Sequence, residues 1–302
     1  MKPKLALALG AGGARGWCHI GAIRALEEAG FYPDVVCGAS MGALVGAAYT
    51  SGVLADLEAF ARTLKPASFG RFLDINLGSG GLIEGGALER QLVTLGFKDD
   101  FNLLDRPFIA VASDLYAARE VWIRQGSVAK AVRASIALPG ILAPFFHEER
   151  WLMDGGMTNP VPVSACRALG GDIIIAVDPN SLRFSGRFQQ GPERSGGSGV
   201  DLSGFIKAAP QALQPYLQSV MTSEKKTNPK PPGYFSVLSA SIDLMTDQIR
   251  RSRMAGEPPH VFVSASLNHI STLDFHLASE AIELGYLAMK KEAGSIAELM
   301  QG

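Results

Sequence analysis

Residues 5–9 (LALAL) form an unbroken apolar run that stops at Gly10. Apolar positions then recur at Ile20, Ile23 and Leu26, the spacing of one helical face, and Gly30 supplies a helix stop. A second run at 34–37 is followed by a turn at 38–42 and an apolar segment, 41–55, that predicts a buried helix. Further strands are predicted at 108–112, 121–123 and 151–153, the last running into Asp154-Gly155-Gly156. Between them, 126–138 predicts a helix ended by Pro139. Residues 173–177 are β-branched and wholly apolar, as suits a strand covered on both faces. A weaker strand at 260–264 and a helix at 278–291 complete the pattern. Strands alternating with helices indicate an α/β fold with a mostly parallel sheet.

Two stretches interrupt the alternation. Residues 181–204 are rich in Gly, Ser, Arg and Gln, and 224–233 (EKKTNPKPPG) form a charged, Pro-rich connector. Both follow most of the strands, so the expectation is one domain over 1–302, with a core at 4–264 and these two segments as surface loops.

The formal net charge of -1 gives no electrostatic case for nucleic acid. Cys18, Cys37 and Cys166 form no C-x-x-C pair and are odd in number, which favours free thiols and a cytoplasmic setting. Lys2 and Lys4 before the first apolar run mimic a signal peptide, but the run breaks at once into glycines and Arg15. No apolar stretch reaches the ~20 residues that span a bilayer.

Three clusters carry candidate chemistry. Gly38-Ala39-Ser40-Met41-Gly42 fits G-x-S-x-G between a predicted strand and helix, where a sharp turn lifts a serine hydroxyl clear of the sheet. The rival is a glycine turn with Ser40 as a helix cap. Gly10-Ala11-Gly12-Gly13-Ala14-Arg15-Gly16 also joins a strand to a helix, where exposed amides can hold an anion. As a dinucleotide fingerprint it fails at Arg15, which occupies the third glycine position. Asp154-Gly155-Gly156 puts a carboxylate at an open strand end. Asp74, Asp114 and Asp178 occupy similar places, so position alone does not select Asp154.

The three clusters in this order resemble the patatin-like phospholipase family, in its bacterial branch related to neuropathy target esterase. Residues 134–139 (ASIALP), 159–163 (NPVPV), 80–85 (GGLIEG) and 241–253 (SIDLMTDQIRRSR) are similar to that family too, so the resemblance covers most of 4–264. Ala11 stands where the family has the first glycine of its triplet. The resemblance implies a three-layer α/β/α fold and a serine acyl hydrolase acting on lipid acyl esters. It implies Ser40 as nucleophile, Asp154 as its base, and an oxyanion hole of backbone N–H groups around Gly12, Gly13, Ala14 and Arg15. Gly10, Gly16, Gly38, Gly42, Gly155 and Gly156 would support these turns. No metal or organic cofactor is implied. A transient contact with a membrane surface is a further expectation.

Two alternatives stay open. A Ser-His-Asp esterase would need a late histidine, and His260, His269 and His276 qualify by order. A lipid-binding protein without turnover would keep the fold alone. His19, within the first helix, reads as a packing residue, and His147 as part of an exposed turn. The apolar stretches 69–73 and 141–146 are candidates for an acyl pocket or for membrane contact. Arg250, Arg251 and Arg253 read as a solvated helix end.

Overall fold

A computed structural model describes residues 3–65, 85–180 and 234–301. The predicted loops at 181–204 and 224–233, the stretch 69–73, most of 80–85 and Asp74 lie outside them.

The strands are β1 (Leu5–Leu9), β2 (Val35–Ala39), β3 (Phe108–Asp114), β4 (Arg119–Ile123), β5 (Phe145–His147), β6 (Arg150–Asp154), β7 (Ile173–Asp178) and β8 (Val261–Ser264). The helices are α1 (Cys18–Glu28), α2 (Met41–Thr50), α3 (Leu54–Thr63), α4 (Gly86–Thr94), α5 (Val128–Ser135), α6 (Val163–Ala168), α7 (Tyr234–Gly256) and α8 (Ala278–Gln301). The strands form one sheet in the order β5-β6-β3-β2-β1-β7-β8, with β4 also paired to β3. β3, β2, β1, β7 and β8 run parallel, whereas β4, β5 and β6 are joined antiparallel.

Every residue of β1 and β7 is buried, because helices cover both faces. Leu5, Leu7, Leu9, Ile173, Ile175 and Val177 face a large core built with α1, α2 and α8. Ala6, Ala8, Ile174 and Ala176 face a smaller one closed by α6 and by Met254 of α7. The three-layer α/β/α expectation therefore holds.

Several predicted boundaries move. The 41–55 segment breaks at Ser51-Gly52-Val53 into α2 and α3. The helix at 126–138 spans only Val128–Ser135, where the Ser127 side chain caps its start. The last helix runs ten residues beyond 291, to Gln301. β5 has three residues, too few for an alternation to show.

The pairing around β3 positions the site. Ala110 and Val111 pair with both β2 and β4, and Ala112 to Asp114 pair with both β4 and β6. A strand has two edges, so β2 and β6 lie end to end along the edge opposite β4. Ala39, the last residue of β2, pairs with Val111, and Asp154, the last of β6, pairs with Ala112. The two strand ends meet there.

Candidate active site

Ser40 follows Ala39 directly and has φ 54 and ψ -123, a strained conformation for a residue with a side chain. The small neighbours are obligatory. A Cβ at Gly38 would collide with the Gly42 carbonyl, and one at Gly42 with the Leu9 carbonyl. α2 begins at Met41 and is buried at every position, as an all-apolar helix should be.

Ser40 Oγ donates a 2.6 Å hydrogen bond to Asp154 Oδ2. Both residues are buried. The other carboxylate oxygen accepts the Gly156 N–H at 2.8 Å. The Asp154 backbone is also fixed, since its N–H donates to the Ala137 carbonyl and its carbonyl accepts from Ser113 Oγ. Burial raises the Asp154 pKa to about 6, against the smaller opposing effects of the Ser40 and Gly156 hydrogen bonds. Above that pH the carboxylate is the dominant form and can accept a proton.

Ser135 completes the support. Its hydroxyl accepts the Ser40 N–H at 2.9 Å and donates to the Val111 carbonyl at 2.5 Å. The 134–139 segment marked this residue in the sequence, but not its task. Ser113 had no mark at all.

The glycine loop lies alongside. Gly13 has φ 53, and a Cβ there would strike the Thr272 carbonyl. That carbonyl accepts the Ala14 N–H at 2.8 Å, so this amide is not free to meet a ligand. The Gly10 and Ala11 amides are also taken, by Val177 and Pro160. Among the described residues, the Gly12 and Gly13 N–H groups donate to no backbone carbonyl outside the turn. Arg15 is buried, with its guanidinium on Asp243 and Thr272.

Ser40 lines a cavity of about 910 Å³, including its opening to solvent. Its walls are almost wholly apolar, with Leu44, Leu64, Leu88, Ile136, Leu142 and Phe275 among them. Of the predicted stretch 141–146, Ile141 and Leu142 line this cavity, while Phe146 is exposed on β5.

Among the described residues no histidine hydrogen-bonds Ser40 or Asp154. His260 Nδ1 accepts the Ile174 N–H, and His269 pairs with Glu280. His276 sits in the turn Phe275–Leu277. His19 Nε2 bonds the Gly10 carbonyl at 2.7 Å, and burial lowers its pKa to about 4, so it is a neutral prop for the glycine loop. His147 is half-buried on β5 rather than in an exposed turn, because the turn falls at Glu148-Glu149. Of the arginines read as a solvated helix end, Arg251 is exposed, whereas Arg250 is largely buried and Arg253 half-buried. Arg250 meets Asp178 and Asp247, Arg251 meets Asp247, and Arg253 meets Glu120.

Among the described residues no group of three or more His, Cys, Asp or Glu is placed to hold a metal ion, and no helix is long and apolar enough to cross a membrane.

A family model for patatin-like phospholipases matches residues 7–167, more than half of the chain, from within β1 to within α6. The chain belongs to the patatin-like phospholipase family. An uncharacterized NTE family protein of Mycobacterium tuberculosis is 30% identical over 321 residues, covering 94% of this chain and 89% of its own. A lysophospholipase NTE1 of Coccidioides immitis is 30% identical over 286 residues, 93% of this chain but 17% of that protein. The human patatin-like phospholipase domain-containing protein 6 is 33% identical over 188 residues, 59% of this chain and 13% of its own. Ser40, Asp154 and the glycine loop 10–16 all lie within the part that the patatin-like phospholipase model matches.

Proposed function

We propose that this protein is a serine acyl hydrolase of lipid esters, with Ser40 as nucleophile and Asp154 as base. The observation that carries the proposal is the buried 2.6 Å Ser40–Asp154 hydrogen bond, with Ser40 lining an apolar cavity. A serine hydroxyl needs a base to become nucleophilic, and a carboxylate raised to about 6 is a better base than an ordinary one near ~3.9.

Ser40 Oγ attacks the ester carbonyl as its proton passes to Asp154. The tetrahedral oxyanion is met by the Gly12 and Gly13 amides; the Arg15 N–H lies within the 3-10 turn Gly13–Trp17, whose i to i+3 bonding occupies it. Ala14 is left out of that set, because Thr272 already holds its N–H. Collapse breaks the ester C–O bond, and the leaving alcohol takes the proton from Asp154. Asp154 then draws a proton from water, which attacks the acyl-serine; collapse breaks the acyl–Oγ bond, Ser40 Oγ takes that proton back from Asp154, and the fatty acid leaves. The cavity suits an acyl chain, each buried methylene contributing about 0.8 kcal/mol. The relatives named as a lysophospholipase and as a phospholipase-domain protein support a glycerophospholipid or lysophospholipid substrate.

A fluorophosphonate probe with peptide mapping tests this. Labelling is expected on Ser40 alone, absent from Ser40→Ala, together with p-nitrophenyl ester turnover that rises with chain length until the cavity is filled. A folded wild-type protein that neither labels nor turns over any ester would instead support a lipid-binding protein.

A further inference from the structure

The glycine loop is tied to a helix more than two hundred residues away in sequence. Arg15, 1% exposed, donates through Nη2 to Asp243 Oδ1 and to Thr272 Oγ1, each at 3.1 Å. Thr272 in turn accepts the Ala14 amide, and Gly13 packs on its carbonyl. The far end of the loop has its own tie. Gly10 donates to Val177 of β7, and the next residue, Asp178, pairs with Arg250 of α7 at 3.1 Å. Asn180 donates its side-chain amide to the Ala11 carbonyl at 2.7 Å.

Asp243, Asp247 and Arg250 stand on one face of α7 at i, i+4 and i+7, and that face is turned inward. A helix ordinarily buries its apolar stripe. Here Leu244 and Met245 are exposed while Asp243 and Asp247 are buried. Desolvated ion pairs add little to stability, so their presence is better explained by geometry. Geometry is what oxyanion donors need, because they act only when fixed at hydrogen-bond distance from the developing charge.

We propose that Asp243 is a positioning residue that holds the Arg15 guanidinium, and through it sets the Gly12 and Gly13 amides against the carbonyl attacked by Ser40. The inference rests on the reading of that loop as the oxyanion hole. It assigns the Arg15 side chain to the loop's architecture, not to the substrate. α7 thereby belongs to the site although, among the described residues, none of its side chains lines the cavity.

The test compares wild type with Asp243→Asn, Arg15→Met and the double variant, using p-nitrophenyl butyrate and a thermal melt to confirm folding. Asp243→Asn should lower kcat on the order of 10- to 100-fold, the cost of a donor displaced by ~1 Å. KM should stay within about twofold, because the loss falls on the transition state. The midpoint of the pH profile should stay at about 6, since Asp154 is untouched. The double variant should lose no more than Arg15→Met, because the two side chains act as one unit. A folded Asp243→Asn protein with wild-type kcat overturns the proposal, as do losses that multiply in the double variant.

If the unpaired Arg15 prevents Asp243→Asn from folding, Arg15→Met with Asp243→Leu decides. Unchanged kcat overturns the proposal, and the same kcat loss at constant KM supports it. Turnover that survives Ser40→Ala would overturn the hydrolase reading itself. Ser40-dependent turnover in an unaffected Asp243→Asn protein overturns only the positioning role.

Discussion

Asp154 and Asp178 are near twins in every respect but one. Each ends a strand of the same sheet, β6 and β7, and each is buried. Each accepts a backbone N–H from two residues further on, Gly156 and Asn180. Burial raises the pKa of each to about 6. They part at the other oxygen, which meets a serine hydroxyl in Asp154 and the Arg250 guanidinium in Asp178. A perturbed carboxylate is therefore not yet a base. It becomes one when the group beside it has a proton to lose and an open cavity in which to use the result.

The largest test of that distinction is turnover. Asp154→Asn should lower kcat for a p-nitrophenyl ester on the order of 10⁴-fold, the scale seen when a serine hydrolase loses part of its catalytic unit. Asp178→Asn should stay within about tenfold of wild type, because its carboxylate meets Asn180 and Arg250 and not Ser40. Equal losses in the two variants would dissolve the contrast.

The pH profile of kcat/KM comes next. Only ionised Asp154 can take the Ser40 proton, so activity should rise with pH through about 6 and level off above it. Two units lower, at pH 4, the loss should be about 100-fold. A midpoint near 4 would mean that burial does not tune this carboxylate.

Stability sharpens the likeness between the two. A folded pKa of about 6 against an ordinary unfolded value means that the folded protein binds the proton more tightly. The neutral form is the stabilising one, and that contribution is lost as pH rises from about 4 to 6. Asp154→Asn should therefore be more stable than wild type at pH 7, by up to about 3 kcal/mol, with the gain gone at pH 4. Asp178→Asn should shift the same way but less, because Arg250 loses one of its two carboxylate partners. Chemical denaturation at both pH values measures this. A variant Asp154→Asn less stable than wild type at pH 7 would contradict it.

The smallest effect concerns Ser135. Ser135→Ala leaves the buried Ser40 N–H and the Val111 carbonyl without their hydroxyl partner, at a cost of about 1–3 kcal/mol. A thermal melt should register that loss, with kcat reduced far less than in Asp154→Asn.

Ser40 was legible in the sequence because its turn tolerates so few side chains that Gly38 and Gly42 announce it. Asp154 was legible only through resemblance, since strand-end position offered Asp178 equally. The sheet followed from the apolar runs, where burial on both faces leaves no polar positions to confuse the pattern. What stayed hidden depends on partners far apart in sequence. The Arg15–Asp243 pair joins residues 228 positions apart, and it occupies the inward face of a helix whose neighbouring Leu244 and Met245 point outward. Arg250 and Arg253 read as solvated for the same reason, because Asp178 and Glu120 come from other strands.

The end-to-end meeting of β2 and β6 makes the Ser40–Asp154 pair sensitive to chain length as well as to chemistry. Side chains alternate along β6, so one residue added between Trp151 and Asp154 would send the carboxylate to the opposite face of the sheet. An insertion at the Glu148-Glu149 turn would leave the register of Asp154 against Ala112 intact. Natural length variation in this family should therefore collect at that hairpin tip and be missing from the four residues that follow it.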